Sequence, residues 1–277
     1  MPVGPAPRSS VGPSTGDRYD RAVLDAATEL PPHPAVVRRR AAKGETAGRA
    51  SGTANPFEVG VAIFDVNETI LDLAPVRRVV DELVGRPGAF ALWFARLIQT
   101  SMAVTATGDF RDFPTLGMAT LEALELDEGH TLPANAWDRV AAAMGALDPH
   151  PDVVAGLDAL AAAGWTLLAL TNSARRSVES QLVRTGLRER FTHVLSVDDV
   201  RAFKPAAAPY EAAARAAGIA PSGAWMVACH DWDLAGARAV GMSTCFVARR
   251  GIAFSAAFPA PDRRVADFRE LPEALSD

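Results

Sequence analysis

The chain has 277 residues, of which 49% are hydrophobic and 22% are charged, and its formal net charge at pH 7 is -5. This length accommodates one α/β domain with an insert or a second small domain. The weakly acidic balance, without a basic stripe, argues against nucleic acid as a partner, and apolar runs such as residues 165–170 are too short to span a membrane.

The first 55 residues are rich in Pro, Gly, Ser, Ala and Arg, with one short helical pattern over residues 19–30. Such a composition buries too little apolar surface to offset the entropy of ordering, so we expect residues 1–55 to be a disordered extension. An overlong start of the reading frame would give the same pattern. The segment lacks the apolar stretch of a secretory signal, and the two cysteines, Cys229 and Cys245, form no disulfide scaffold or metal-site spacing. We therefore expect a cytoplasmic protein.

Ordered structure is predicted to begin with the apolar, branched run Val59 to Asp65, which is typical of a buried parallel strand. Helical patterns follow near residues 75–84, 89–104, 115–124 and 134–147. Further along, strand patterns at 165–171, 193–197, 224–228 and 244–247 alternate with helical ones at 152–163, 177–184, 207–217 and 233–240. This alternation predicts βαβ units around a parallel sheet.

The predicted fold is therefore α/β, with a Rossmann-like parallel sheet as its core and an inserted helical cap. We assign residues 56–74 and 149–277 to the core and residues 75–148 to the cap. The cap follows the first strand, so it is expected to cover the carboxyl edge of the sheet, where open α/β sheets bind ligands.

Polar residues follow four predicted strands or loops at this edge: residues 64–72, 170–173, 203–205 and 228–233. Each segment has an ordinary structural explanation, because Asp65 or Asp233 can cap a helix and Lys204 can be a solvated loop charge. Their occurrence in order at one edge of one sheet instead predicts a catalytic site.

From Val59 to about Leu275 the chain resembles the haloacid dehalogenase superfamily, and in particular its type II 2-haloacid dehalogenase branch. The resemblance rests on motifs that occur in order: Asp65 with Thr69 four residues later, Thr171 followed by Asn172, Lys204 with Tyr210 six residues later, and the pair Trp232-Asp233.

The resemblance implies that Asp65 displaces a halide and forms an ester, which water then hydrolyses at the carboxyl carbon of Asp65. Lys204 keeps Asp65 ionised, and Asp233 holds Lys204 and orients or deprotonates the water. Thr171 and Asn172 complete the implied catalytic set. The positions expected to contact the substrate are Thr69, Asn67, Tyr210, His230, Trp232, Phe94 and Arg96. No metal or cofactor is implied. The substrate would be a small 2-substituted carboxylic acid, and relatives of this kind often form homodimers.

A magnesium-dependent phosphatase is the alternative, since most members of the superfamily are phosphatases. Phosphatases carry a general-acid Asp two residues after the nucleophile, where this chain has Asn67, and an amide cannot exchange a proton near neutral pH. They usually have a magnesium-binding Asp where this chain has Cys229, and a thiol is a poor ligand for a hard cation. Asp231 or Asp233 could still hold a metal, so the alternative stays open.

Two departures from the dehalogenases leave the substrate open. The family carries an Arg after a Leu-Trp pair of the cap, and here that position is Phe94, so Arg96 or Arg111 takes over its task or the substrate differs. The family also has an Asn where this chain has His230, which could bind halide as a cation, act as a base, or be structural.

The cap is unusually aromatic, with Phe90, Trp93, Phe94, Phe110 and Phe113. Packing between cap and core explains most of them. One or two are expected to line a small apolar pocket over Asp65 that suits a short alkyl substrate.

Overall fold

The computed structural model describes residues 60–128, 131–249 and 251–276. Strands in these ranges are β1 (Val61–Asp65), β2 (Thr166–Thr171), β3 (His193–Ser196), β4 (Ala224–Ala228), β5 (Ser243–Val247) and β6 (Arg263–Val265). They form one sheet in the order β3-β2-β1-β4-β5-β6, and every neighbouring pair is parallel. The order places β1 between β2 and β4, so the ends of these three strands are adjacent.

Nine α-helices accompany the sheet in the described part of the chain. The four that follow β1 are α1 (Ala74–Val84), α2 (Ala89–Thr107), α3 (Phe113–Glu128) and α4 (Ala136–Gly145). The other five are α5 (Val153–Ala162), α6 (Arg175–Arg184), α7 (Ala207–Ala216), α8 (Asp231–Ala239) and α9 (Leu271–Ser276).

The central strand β1 is buried along its whole length. Ala62 and Phe64 belong to the apolar cluster on one side of the sheet, and Val61 and Ile63 belong to the cluster on the other side. A parallel strand covered on both faces needs a continuous apolar run rather than an alternating one, and β1 has that run. Asp65 is the last residue of β1, so its carboxylate lies at the carboxyl edge of the sheet.

The helices α1 to α4 pack on one another, with α2 in contact with α1 and α3. By length and composition alone α2 would be able to span a membrane, a property that helices packed in a folded domain can share, and the expectation that the chain has no membrane partner stays a prediction. Its Phe90, Trp93 and Leu97 are buried in the same apolar cluster as β1. Through these three residues α2 packs on the apolar core of the described domain.

The predicted fold class, a parallel α/β sheet with an inserted helical region, is confirmed. The described elements match the predicted ranges within a few residues, and β4 matches its range fully. Two elements, β6 and α9, were not predicted. The extension over residues 1–55 and the helical pattern at 19–30 lie outside the described residues. The exact division into core (56–74 and 149–277) and cap (75–148) stays a prediction.

Candidate active site

The carboxyl ends of β1, β2 and β4 bring the predicted motifs together. Asp65 is paired in register with Leu170, one residue before Thr171, and Phe64 is paired with Val227 of β4. Asn172 and Ser173 therefore continue from the strand on one side of Asp65, and Cys229 and His230 continue from the strand on the other side.

Lys204 joins the two predicted carboxylates and is fully buried. Its ammonium donates hydrogen bonds to Asp65 Oδ1 at 2.7 Å, to Asp233 Oδ2 at 2.7 Å and to the carbonyl of Leu170 at 3.2 Å. Three bonds use all three of its protons. Burial alone lowers the pKa of Lys204, but Asp233 and Asp65 outweigh burial and raise it above the ordinary value, so the side chain stays charged.

Asp65 is held as a carboxylate at the centre of the site. Its Oδ2 accepts a hydrogen bond of 2.7 Å from Thr69 Oγ1 and lies 3.4 Å from Nδ1 of His230. Burial alone raises the pKa of Asp65, but Lys204 and His230 together hold it well below its ordinary value. An ionised, oriented carboxylate of this kind is suited to nucleophilic attack.

Asp233 is fully buried, and both of its oxygens have partners. Oδ2 accepts from Lys204, and Oδ1 accepts a 2.6 Å bond from the hydroxyl of Tyr210. Burial raises the pKa of Asp233, as does repulsion from Asp65, although Lys204 and Tyr210 act in the opposite direction. Tyr210 is itself completely buried behind Asp233, which favours a positioning role over the substrate contact suggested by the sequence.

A close approach of α8 makes this arrangement possible. A Cβ at Gly236 would lie 2.7 Å from the Tyr210 hydroxyl and 2.6 Å from the carbonyl of Pro205. Only glycine therefore fits where α8 crosses the turn that carries Lys204.

The segments that follow β1 and β2 each contribute one amide with an unpaired polar atom. Asn172 Oδ1 accepts the backbone N–H of Lys204, and Asn67 Nδ2 donates to Ser173 Oγ at 2.8 Å. Asn172 Nδ2 and Asn67 Oδ1 are buried without a hydrogen-bond partner among the described residues. Thr171 is fully buried, and its Oγ1 accepts the N–H of Ser173. Unpaired buried groups at a strand end are expected where a ligand supplies the missing partner.

His230 lies between two of the predicted aromatic residues. Its ring centroid is 5.3 Å from that of Trp232 and 5.8 Å from that of Phe94. Burial alone lowers the pKa of His230, but interactions with Cys229 and Asp65 raise it well above the ordinary value. The imidazole is therefore a buried cation in contact with the residue that stands where the dehalogenases carry an Arg.

Arg96 and Arg111 do not share this position. Arg96 lies on α2 but does not line the cavity beside the site. Arg111 pairs with Asp109 on the surface. Their suggested part in binding the substrate stays a prediction.

The sequence interpretation did not single out Arg249, which fixes the loop that carries Thr69. Arg249 donates to the carbonyl of Thr69 through Nε at 3.1 Å and Nη2 at 2.8 Å, and its Nη1 bonds both oxygens of Asp152 at 2.8 Å. Arg249 and Asp152 are both buried. Glu68, in the same loop, adopts a left-handed φ of 65°, a strained conformation that tends to occur at functional sites.

A cavity of about 340 Å³ lies beside the site, between the inserted helices and α6. Asn67 and Ser173 line its inner end, and Phe90, Trp93, Phe94 and Phe113 form much of its wall. Four of the five aromatic residues considered from the sequence therefore line it, more than expected. Phe110 instead stacks on Phe203, with ring centroids 5.0 Å apart.

Asp65, Cys229 and His230 form the one group in the described part of the chain whose ligand atoms lie within 4.8 Å of one another, as a metal site requires. The set suits a hard cation such as magnesium poorly, because it includes a thiol and a protonated imidazole beside Lys204. Asp231 accepts backbone N–H bonds from Trp232 and Ser255 with its two oxygens. These contacts argue against magnesium at Asp231, although each carboxylate oxygen can accept a second partner.

Comparison with known proteins agrees with this geometry. A family model described as haloacid dehalogenase-like hydrolase matches residues 59–241. An (S)-2-haloacid dehalogenase from Pseudomonas sp. (strain YL) is 31% identical over 219 residues, which cover 77% of this chain and 93% of that protein.

Solved structures are similar as well. The L-2-haloacid dehalogenase RSc1362 has a TM-score of 0.72 and 26% identity, covering 78% of this chain and 97% of its own. The L-2-haloacid dehalogenase from Xanthobacter autotrophicus has a TM-score of 0.69 and 22% identity over 79% of this chain and 98% of its own, and this likeness concerns the fold.

Proposed function

This chain belongs to the haloacid dehalogenase-like hydrolases and, within them, to the (S)-2-haloacid dehalogenases, and from this premise we propose that it hydrolyses the carbon–halogen bond of (S)-2-haloacids. The observation that carries the proposal is the buried Asp65 carboxylate, which Lys204 holds at 2.7 Å in a site where Asn67 replaces a general acid. Water replaces halide overall: R–X and H₂O give R–OH, X⁻ and H⁺.

In the first step the Asp65 carboxylate attacks C2 of the substrate. A C–O bond forms as the C–X bond breaks, and the halide leaves with the bonding electrons. A halide is a stable anion and needs no proton, so Asn67 is adequate where a phosphatase needs an acid. Protonated His230, 3.4 Å from Asp65, supplies positive charge for the departing halide.

The substrate carboxylate needs donors at the same edge of the sheet. Asn172 Nδ2 is buried and unpaired in the described part of the chain, which supports a hydrogen bond from this amide to that carboxylate. Thr69 and Thr171 position other residues rather than the substrate. Thr69 orients Asp65, and Thr171 fixes the backbone of Ser173. Trp232 and Phe94 hold the ring of His230 in place.

In the second step water attacks the carboxyl carbon of the Asp65 ester, and the bond between that carbon and the substrate oxygen breaks. One proton of the water ends on the leaving oxygen to give the 2-hydroxy acid, and the other is released to solvent as Asp65 returns to a carboxylate. Lys204 stabilises the oxyanion that develops on Asp65, since its ammonium lies 2.7 Å from Oδ1. Asp233, with a raised pKa and both oxygens engaged, holds Lys204 during this step.

We propose a cytoplasmic enzyme that uses no metal or other cofactor, acts on a small-molecule acid and has no nucleic-acid partner, with a homodimer as the assembly. We also propose that residues 75–148 act as the cap and that residues 56–74 and 149–277 form the core.

The test is halide release from (S)-2-chloropropionate in the presence of a chelator, followed by a single turnover in heavy-oxygen water. We expect release that resists the chelator and is abolished by Asp65→Asn, with the label appearing in the peptide that contains Asp65. Asp72→Asn is the matched control, because Asp72 lies in the same loop and its side chain accepts a hydrogen bond from the backbone N–H of Ala74, which an Asn can also accept. Magnesium-dependent hydrolysis of a phosphate ester without any halide release would replace this proposal with a phosphatase.

A further inference from the structure

The cavity beside Asp65 is larger than a short haloacid requires. Its volume is about 340 Å³, and at roughly 30 Å³ for each water-sized group it holds about ten such groups. A haloacetate or chloropropionate has about five or six non-hydrogen atoms and fills roughly half of that space. If part of an apolar cavity stays empty when the substrate binds, the van der Waals contacts that its walls could make with a larger substrate are lost.

The cavity is also elongated. Ala174, Ser177 and Gln181 all line it, and they follow one face of α6 from its N-terminal end. At 1.5 Å per residue, Gln181 lies roughly 10 Å along the helix from Ala174. An extended chain advances about 1.2 Å per bond, so the cavity takes a chain of about eight bonds beyond the reacting carbon.

Its walls are mostly apolar, but one of the residues that line it, Gln181, carries a buried polar atom without a hydrogen-bond partner in the described part of the chain. Gln181 is 3% exposed, and its Nε2 donates to the carbonyl of Met144 on α4 at 2.6 Å. Its Oε1 is buried without a partner among the described residues. Because Nε2 must face that carbonyl, the orientation of the amide is fixed and the free atom is an acceptor.

From these features, and on the basis of the proposed function, we propose that the substrate is a 2-haloalkanoic acid of medium chain length whose far end carries a hydrogen-bond donor such as a hydroxyl group. The chain lies along α6 against the aromatic wall, and the terminal hydroxyl donates to Gln181 Oε1. The carboxylate and C2 remain at the inner end, beside Asn67 and Ser173. This is a longer substrate than the short alkyl acid expected from the sequence.

A matched series of three acids tests the proposal: (S)-2-chloropropionate, (S)-2-chlorooctanoate and (S)-2-chloro-8-hydroxyoctanoate. We expect kcat/KM for halide release to rise about tenfold or more from the propionate to the octanoate, because each buried CH₂ adds favourable transfer energy. A further rise of about fivefold is expected for the hydroxyoctanoate, since it satisfies Gln181.

Two variants tie these differences to the cavity. Both Ala141 and Ala142 are exposed on α4, but of the two only Ala141 lines the cavity. Ala141→Phe is therefore expected to lower the octanoate-to-propionate ratio, whereas Ala142→Phe places the same ring outside the cavity and leaves the ratio unchanged. Gln181→Met removes the acceptor, so the advantage of the hydroxyl group over the plain chain disappears. This last ratio compares two substrates on one variant and is insensitive to a general loss of stability.

If the propionate is turned over as efficiently as both octanoates, or if Ala141→Phe leaves the ratio as it was, the longer substrate is overturned while the dehalogenase function stands. If none of the three acids releases halide, the proposed function fails and this inference fails with it.

Discussion

Nδ1 of His230 lies 3.4 Å from Oδ2 of Asp65. With the imidazole protonated, two cations, His230 and Lys204, face two buried carboxylates, Asp65 and Asp233, and the site is neutral before substrate binds. When Asp65 becomes an ester, one negative charge is lost, and the site then has an excess positive charge for the halide and the substrate carboxylate. We propose that His230 supplies the charge that the resemblance assigns to an Arg at the position of Phe94.

The first prediction concerns the pH dependence of halide release. The pKa of His230 is raised, so the protonated form is present below that pKa and is lost as pH rises through it. We expect kcat to fall on the alkaline side with this pKa, and His230→Asn to lower kcat roughly 100-fold and remove this limb. Lys204, whose pKa is raised above 10.5, does not produce the limb.

Halide release measured from pH 6 to pH 10 checks this prediction, with Cys229→Ala as the control. Cys229 contributes to the raised pKa of His230, so the control keeps the alkaline limb but moves it to lower pH. A limb that persists unchanged in His230→Asn would show that another group titrates.

The second prediction is a coupling between Phe94 and His230, whose ring centroids are 5.8 Å apart. Phe94→Arg alone adds a second cation beside protonated His230, and we expect kcat/KM to fall about tenfold. Combined with His230→Asn, the same Arg replaces the lost charge and should recover much of the activity, with a coupling energy of about 1–3 kcal/mol.

A four-point cycle of kcat/KM values measures this coupling. Ala95→Arg is the matched control, since it adds the same charge at an exposed position on α2 and should show no coupling with His230→Asn. If the losses in kcat/KM caused by Phe94→Arg and His230→Asn are additive, an Arg at position 94 does not replace the positive charge of His230.

The third prediction concerns Tyr210, which donates to Asp233 at 2.6 Å. This bond lowers the pKa of Asp233, so Tyr210→Phe raises that pKa further. We expect the acidic limb of kcat to move to higher pH, because Asp233 must be ionised to hold Lys204. A lower kcat with an unshifted profile would indicate a packing defect alone.

The sequence predicted the parts of the site that depend on strand ends and missed those that depend on distant packing. Asp65, Lys204 and Asp233 converge because parallel strands end at one edge, and that rule is readable from the pattern. Arg249 is 180 residues from its partner Thr69, and nothing in its neighbourhood indicates the pairing. Strand β6 has three residues, two of them Arg, which is too short and too polar for a strand signal. Gln181 looked like an ordinary helix residue, since the packing of α4 on α6 decides that it is buried.

The fourth prediction concerns the buried pair of Arg249 and Asp152. Arg249→Met leaves the Asp152 carboxylate and the Thr69 carbonyl without these bonds inside the protein, and we expect it to lower the free energy of unfolding by about 3–5 kcal/mol. Arg111→Met is the control, because Arg111 and Asp109 form an exposed pair whose loss changes stability by about 1 kcal/mol or less. Urea unfolding of the three proteins measures both values, and equal stability of the two variants would contradict the prediction.

The pair of Arg249 and Asp152 also makes the stability of the fold depend on pH, in a direction that follows from the pKa of Asp152. Burial alone raises the pKa of Asp152, but the hydrogen bonds from Arg249 and the N–H of Phe268 outweigh it and lower the pKa below 3.8. A carboxyl whose folded-state pKa is depressed stabilises the fold above its unfolded pKa, and this contribution is lost as pH falls through the folded value. The difference in Tm between wild type and Arg249→Met should therefore be largest near neutral pH and shrink on acidification, as Asp152 becomes protonated. A difference that stays constant into the acid range would mean that Arg249 stabilises the fold through Thr69 rather than through Asp152.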